Sequence, residues 1–152
     1  MKKRIKLGSI QISNWTPKSK KMFHDFYYDK NDEFYDKSFE REIKKCAPDE
    51  VILPANSEFT LEITYPVKNP YRIKIKVGAE GMTRIRLVDI ICKSYRKMYK
   101  EEDSAHKVGL IPGMLNRATS SGPYGIWGHV IEDLCLIECE VKENKITLSV
   151  DS

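Results

Sequence analysis

The residues best suited to chemistry lie in a glycine-rich segment near the C-terminal end of the chain. Tyr124 and Trp127 supply two large aromatic faces, and His129 and Asp133 follow them. Histidine exchanges a proton near neutral pH, and a nearby carboxylate can orient its ring. The candidate catalytic residues are therefore His129 and Asp133. The candidate binding residues in this region are Tyr124, Trp127 and, upstream, Arg117, which could contact an oxyanion or a phosphate.

These residues also have a purely structural interpretation. A buried tryptophan and tyrosine that pin a long loop, beside a histidine with satisfied hydrogen bonds, would give the same sequence. The other histidines, His24 and His106, do not lie near His129 at the spacing of a metal site or a catalytic triad. The sequence therefore favours a protein without catalytic activity. A small enzyme or ligand-binding protein with a site around these residues is the alternative.

The cysteines do not predict a metal site. Cys135 and Cys139 are four positions apart in a predicted strand, which separates them by ~13 Å, too far to share one ion. Cys46 and Cys92 are isolated in the sequence. We therefore expect reduced, buried thiols and no metal. The link 78–81 lacks the length and the lysine of a nucleotide-binding P-loop, so no cofactor is predicted.

A second group of aromatic residues lies between residues 14 and 36, where neither a strand nor a helix period emerges. Its members are Trp15, Phe23, Phe26, Tyr27, Tyr28, Phe34 and Tyr35. We interpret residues 14–50 as an irregular excursion, with a short helix before Pro48. Tyr27 and Tyr28 are candidate contacts with a partner; alternatively, the aromatic side chains only attach the excursion to the domain. Stacking on nucleic acid is less favoured, because the local charges are mostly acidic.

These candidates must be positioned by a hairpin and a helix. Apolar residues alternate with polar ones through 58–65 and again through 71–77, with Pro66 and Pro70 between them, which predicts a β-hairpin. Its polar face sets Glu58 and Glu62 against three basic residues, and such cross-strand pairs favour this pairing. The buried phase includes Phe59, Leu61, Ile63, Tyr65, Tyr71, Ile73, Ile75 and Val77.

An apolar stripe recurring every three or four residues predicts a helix over about 83–103, with Thr83 as its N-cap. The predicted solvent face carries Arg84, Arg86, Lys93, Arg96, Lys97 and Lys100. This basic face makes nucleic-acid binding a second alternative function. A solvated surface is favoured over it, because the basic residues of the hairpin would lie on the other side of the domain.

The remaining strands are predicted at 2–13, 50–53, 134–141 and 145–150. The first changes phase at Gly8, which indicates a β-bulge. The strand 134–141 is apolar on both faces and is the best candidate for a central strand, and 145–150 would close the sheet. Residues 104–128 form a long glycine-rich loop with one helical turn at 110–117.

Together these elements predict one α+β domain over 1–152: a mainly antiparallel sheet with one long amphipathic helix packed on it. The architecture resembles β-grasp-like and similar two-layer sandwiches, a likeness that carries no function. The net charge of +4 permits acidic partners but does not require them. The sequence has no apolar run of bilayer length and no secretory leader, so we expect a soluble, intracellular, cytoplasmic protein. The favoured function is a non-catalytic macromolecular interaction or structural module with a protein partner, either alone or as one subunit of a larger assembly.

Overall fold

The computed structural model describes residues 2–23, 37–105, 109–110 and 118–152. Three of the predicted binding residues, Tyr27, Tyr28 and Arg117, lie outside the described residues. The helical turn predicted at 110–117 falls almost wholly outside them as well.

Nine strands and two α-helices make up the described chain. In order they are β1 (Lys2–Gln11), α1 (Lys37–Lys44), β2 (Val51–Leu53), β3 (Glu58–Ile63), β4 (Tyr71–Lys76), β5 (Met82–Thr83), α2 (Arg84–Ala105), β6 (Gly109–Leu110), β7 (Ala118–Thr119), β8 (Cys135–Lys142) and β9 (Lys145–Asp151). Single 3-10 turns lie at Pro17–Ser19 and Ile131–Asp133. No helix among the described residues is long and apolar enough to cross a membrane.

Five strands form the main sheet in the order β1-β8-β9-β3-β4, and the helix α2 packs on it. All neighbouring pairs are antiparallel except β3 and β9, which are parallel. β2 pairs with β5, and β6 with β7, in two small additional sheets. The predicted fold class, a mainly antiparallel α+β sandwich with one long helix, is confirmed.

The order of the strands corrects one prediction about the sheet. β8 is an interior strand between β1 and β9, as its apolar residues on both faces indicated. The prediction that residues 145–150 close the sheet is wrong, because β9 is the middle strand and pairs with β3 on its second side. The alternation of side chains along β9 shows which of its faces is buried, but it does not show which strands pair with its two edges.

The predicted bulge in β1 is confirmed. Its register against β8 shifts between Lys6 and Ile10. Gly8 has a φ of +134°, and a Cβ there would lie 2.2 Å from the carbonyl oxygen of Met22. The next amide, that of Ser9, donates to the same Met22 oxygen at 2.9 Å. The glycine therefore lets the returning chain pass close to β1.

The part of the excursion that is described is held by a buried aromatic residue. Trp15 is buried, and its indole N–H donates to the carbonyl oxygen of Lys21 at 2.7 Å. The ammonium of Lys44, in α1, lies 5.8 Å from the centre of the Phe23 ring. Trp15 also belongs to the hydrophobic core, and its carbonyl oxygen accepts a hydrogen bond from Arg96 of α2, so the excursion is attached to the domain at this residue.

The hairpin of β3 and β4 has the predicted charge pairing. Glu62 lies opposite Arg72, whose Nε is 2.7 Å from the carboxylate, and Glu58 lies opposite Lys76. Lys145 on β9 also reaches Glu62 at 3.0 Å. The hydrogen bonds from Arg72 and Lys145 hold the pKa of the Glu62 carboxyl below its usual value.

Helix α2 begins directly after Thr83, the predicted N-cap. The Thr83 hydroxyl oxygen accepts a hydrogen bond from the Arg86 amide at 3.3 Å, as an N-cap side chain does. The predicted pair of Asp89 and Lys93 is present at 2.8 Å. Buried residues of the predicted stripe are Val88, Ile91, Cys92, Tyr95, Met98 and Tyr99. The helix thus turns its apolar side to the sheet.

Two arginines do not lie on the solvent face where the helical period places them. Arg84 is 7% exposed, and Arg96 is half-buried. Arg96 donates to the carbonyl oxygens of Ile12 and Trp15 at 2.9 and 3.0 Å. A long guanidinium side chain can turn back to unpaired carbonyls of a neighbouring segment, which a helical period does not reveal. The basic helix face is correspondingly smaller than predicted.

Candidate functional site

Four polar and aromatic side chains meet where β3 and β9 end, at one end of the sheet. The Tyr65 hydroxyl lies 3.0 Å from the Ser152 Oγ, which lies 3.2 Å from Nε2 of His129. The Tyr65 and His129 rings are 5.8 Å apart between centroids. On the far side of the imidazole, Asp133 has a carboxylate oxygen 3.8 Å from Nδ1. We call these four residues the His129 cluster.

The cluster brings together the two residues that the sequence proposed for catalysis. A 3-10 turn over Ile131–Asp133 places Asp133 beside His129. Carboxylate, imidazole and hydroxyl follow one another, the order of groups used when a base activates a nucleophile. The distance of 3.8 Å is an ion-pair distance and is longer than a hydrogen bond.

Two aromatic side chains in this region remain exposed: Tyr65, which belongs to the cluster, and Trp127. Trp127 is 53% exposed and Tyr65 is 38% exposed, and Val51 is the other large apolar side chain in the described chain with such exposure. The sequence placed Tyr65 in the buried phase of its strand, and this is wrong because the strand ends at Ile63. The Trp127 amide donates to the carbonyl oxygen of Pro66 at 2.9 Å, so the two aromatic residues belong to adjoining segments. We call Tyr65, Trp127 and His129 the aromatic patch.

Two buried tyrosines of α2 fix the backbone of the patch from inside. The Tyr95 hydroxyl donates to the carbonyl oxygen of Tyr65 at 2.7 Å, and the Tyr99 hydroxyl donates to that of His129 at 2.8 Å. Burial raises the pKa of both phenols, so both stay neutral donors. The sequence analysis placed Tyr95 and Tyr99 in the apolar stripe of the helix. The helical repeat of apolar residues did not indicate that their hydroxyls donate hydrogen bonds.

The glycine-rich segment before the patch is held by one buried carboxylate. Glu102 is 0% exposed and accepts hydrogen bonds from the amides of Gly122 and Tyr124 at 2.8 Å and of Gly125 at 3.1 Å. The Ser120 hydroxyl donates to it as well. Burial alone would raise the pKa of this carboxyl, but the four hydrogen bonds outweigh it and hold the pKa below its usual value. The carboxylate therefore ties the segment to the last turns of α2.

Tyr124 belongs to this attachment rather than to the cluster. Its ring packs edge-on against Tyr71, with 5.2 Å between centroids, and its hydroxyl donates to Glu101. The hydrogen bond to Glu101 raises the pKa of Tyr124 to about 12. The structure thus joins His129 to Asp133, places Trp127 on the adjoining surface and gives Tyr124 other partners.

The sequence missed Tyr65, Ser152 and Glu102. The first two reach His129 from the ends of strands far away in the chain, so no local spacing could join them to it. Glu102 lies among Lys100, Glu101 and Asp103, where a carboxylate resembles a solvated surface residue. The one indication of an anion-binding role in the sequence is the group of closely spaced glycines whose amides face the Glu102 carboxylate. Closely spaced glycines can turn successive amides toward one anion.

The cysteines take no part in the cluster. All four are free and buried. Burial raises the pKa of Cys92 and of Cys139 to about 12, which removes the thiolate needed for nucleophilic attack. Among the described residues, no group of three or more histidine, cysteine or acidic side chains is arranged to hold a metal ion. The groups that the His129 cluster offers for chemistry are therefore its oxygen and nitrogen atoms.

Comparison of the chain with protein-family models, with curated proteins and with solved structures finds no match.

Proposed function

We propose that this protein is a non-catalytic interaction module that binds a protein partner through the aromatic patch, either alone or as one subunit of a larger assembly. The observation that carries the proposal is the exposure of Trp127, at 53%, on a backbone that is hydrogen-bonded to the rest of the fold. Tyr65 adds a second exposed ring on the adjoining segment, which the Trp127 amide joins through the carbonyl oxygen of Pro66.

Large aromatic side chains on an ordered backbone favour binding to a protein. Tryptophan and tyrosine are the residue types that most often dominate the energy of a protein interface. Binding costs less when the contact surface is already ordered, because fewer side chains and loops must be fixed. Here the Tyr95 and Tyr99 hydroxyls hold the backbone at Tyr65 and His129, and Glu102 holds the preceding segment.

Polar groups around the rings fit the same role. The Ser152 hydroxyl and the His129 imidazole lie beside the exposed Tyr65 ring, and the Asp133 carboxylate lies behind the imidazole. Interfaces commonly have an apolar centre with a polar rim that fixes orientation by hydrogen bonds. A protein surface with one apolar pocket for Trp127 and polar groups around it would satisfy this patch.

The test is quantitative co-purification with tagged protein from the source cell. We expect Trp127→Ala to reduce recovery of at least one specific partner by about tenfold or more, the loss typical of an interface hot spot. Tyr65→Ala should reduce recovery of the same partner. Val51→Ala is the matched control, because Val51 is 55% exposed and lies on β2, which pairs with β5 at the start of α2. An identical set of partners for wild type and Trp127→Ala would contradict the proposal.

A small hydrolase is the second candidate, favoured by the 3.2 Å contact between Ser152 Oγ and His129 Nε2. In this function Ser152 attacks an ester carbonyl while His129 takes its proton and Asp133 orients the imidazole. The bond to the alcohol then breaks, the alcohol leaves with the proton from His129, and a water deprotonated by the same imidazole hydrolyses the acyl-serine and frees the Ser152 hydroxyl. The test is hydrolysis of p-nitrophenyl acetate together with labelling by a fluorophosphonate. This candidate requires that Ser152→Ala and His129→Gln each abolish both readouts. Turnover or labelling that persists in both variants would rule it out.

A further inference from the structure

Among the residues that the structure describes, the outer edge of β4 is open, and it borders a groove. β4 is the last strand of the main sheet, and within the described ranges no strand pairs with its outer side. The groove runs between this strand and the start of α2. Its apolar lining includes Ile73, Ile75, Met82 and Ile90, and Arg86 adds a positive charge.

The register identifies the backbone groups that face this open edge. The Val77 amide donates to the Ser57 carbonyl at 2.8 Å, which extends the ladder between β3 and β4. In an antiparallel pair, residues alternate between those bonded to the partner strand and those whose N–H and C=O point away. The groups of Arg72, Lys74 and Lys76 therefore point outward, where another strand could pair with them.

The two faces beside this edge differ in chemistry. Ile75 is buried on the side of α2, and Ile73 is half-buried there. Arg72, Lys74 and Lys76 are exposed on the opposite face. Side chains directly opposite each other on neighbouring strands share a face, so an added strand would place alternate side chains against isoleucines and against cations.

We propose that β4 and this groove bind an extended segment of a protein partner as a sixth strand, and that the segment alternates apolar and acidic side chains. Backbone pairing with Arg72, Lys74 and Lys76 would supply affinity, and the alternate side chains would supply specificity. The site is separate from the aromatic patch and does not depend on the function proposed for it.

Charge decides which occupant the edge accepts. Basic side chains on an edge strand repel the same edge of a second copy, which is a common protection against aggregation. The same charges attract carboxylates. Part of the charge is already neutralised, because Glu62 lies 2.7 Å from Arg72 and Glu58 lies 3.7 Å from Lys74. Arg86 is likewise partly neutralised by Asp89, 3.5 Å away, whereas Lys76 adds an exposed positive charge on the edge, so an acidic segment fits better than a basic or neutral one.

The test uses a fluorescein-labelled peptide with the repeat Glu-Val over seven residues, measured by fluorescence anisotropy. We expect saturable binding, and about tenfold weaker binding or none for the matched Lys-Val peptide. N-methylation of alternate amides should distinguish the two edges of the peptide. One set of methyl groups faces β4 and should abolish binding, and the other set faces solvent and should leave it unchanged. Equal behaviour of the two N-methylated peptides, or no binding of the parent peptide, would overturn the proposal.

Variants of the protein provide a second test of the same edge. Lys74→Pro removes the outward N–H at an edge position, where proline is tolerated, and should abolish binding. Lys74→Gln keeps the N–H and loses only the charge, so a loss of about threefold is expected. If Lys74→Pro does not fold, the N-methylated peptides alone decide. Trp127→Ala should bind the peptide as the wild type does, which separates failure of this site from failure of the aromatic patch.

Discussion

Glu102→Gln is expected to lower the free energy of unfolding by about 3 kcal/mol, because a carboxylate that accepts four hydrogen bonds becomes an amide with one acceptor oxygen. The Gly122, Tyr124 and Gly125 amides donate to Glu102, and Glu102 is 0% exposed, so water cannot replace the lost acceptor. The new amide N–H₂ would also face donors. Chemical denaturation of wild type and variant measures the difference.

Glu101→Gln is the matched control for this change. Glu101 is the neighbouring residue on the same helix, its side chain is 40% exposed, and it accepts from the Tyr124 hydroxyl. Water can reach it, so we expect a loss below about 1 kcal/mol. Equal losses for the two variants would show that the buried carboxylate does not carry the attachment of the glycine-rich segment.

The pH dependence provides an independent readout of Glu102. Its pKa in the folded protein is held below the usual value of 4.5. The carboxylate therefore stabilises the fold fully above about pH 4.5, and this stabilisation is lost as the pH falls through the lowered pKa. The difference in unfolding free energy between wild type and Glu102→Gln should be largest near neutral pH and shrink in acid. A difference that stays constant from pH 7 to pH 3 would contradict a charged Glu102.

Arg84→Met is expected to lower the free energy of unfolding by a comparable amount, about 3 kcal/mol, because it removes three hydrogen bonds that a buried guanidinium donates. The Arg84 guanidinium donates to the carbonyl oxygens of Lys6 at 2.8 Å and Ala47 at 2.7 Å, and to the Glu50 carboxylate at 2.9 Å. It thereby joins β1, the segment before β2 and the start of α2. Thermal and denaturant unfolding both measure the loss.

Arg86→Met tests whether this effect is specific to the buried arginine. Arg86 lies two residues further along α2, its side chain is 61% exposed, and its contact with Asp89 is 3.5 Å long. We expect a change below about 0.5 kcal/mol, because the Arg86 side chain is exposed and Lys93 still reaches the Asp89 carboxylate at 2.8 Å. If Arg84→Met were as mild as Arg86→Met, the guanidinium would not be the connection between these segments.

Sequence periodicity predicted the parts of the fold that depend on local pattern. The alternation in β3 and β4 predicted both strands and their charge pairs, and the change of phase at Gly8 predicted the bulge. The position of β9 in the middle of the sheet depends on pairing between strands far apart in the chain. The hydrogen bonds of Arg84 and Arg96 depend on carbonyl groups of distant segments. A periodic pattern contains neither kind of information.

In the candidate site, too, only the contact between residues close in the sequence could be predicted. The spacing of four residues from His129 to Asp133 suggested their contact, and the structure brings them to 3.8 Å. Tyr65 and Ser152 join them only because β3 and β9 are parallel neighbours that end at the same side of the sheet. The exposure of Trp127 could not be read from its residue type, since tryptophan in a glycine-rich loop is equally compatible with burial.

The central claim, that the aromatic patch is a binding surface for a protein, is tested most directly by site-specific photo-crosslinking in the source cell. A photoreactive phenylalanine analogue would replace Trp127 in one sample and Val51, the equally exposed residue elsewhere, in another. We predict a discrete adduct with one protein species from position 127 and no such adduct from position 51. Position 127 giving no adduct, or both positions giving the same diffuse set, would contradict the claim.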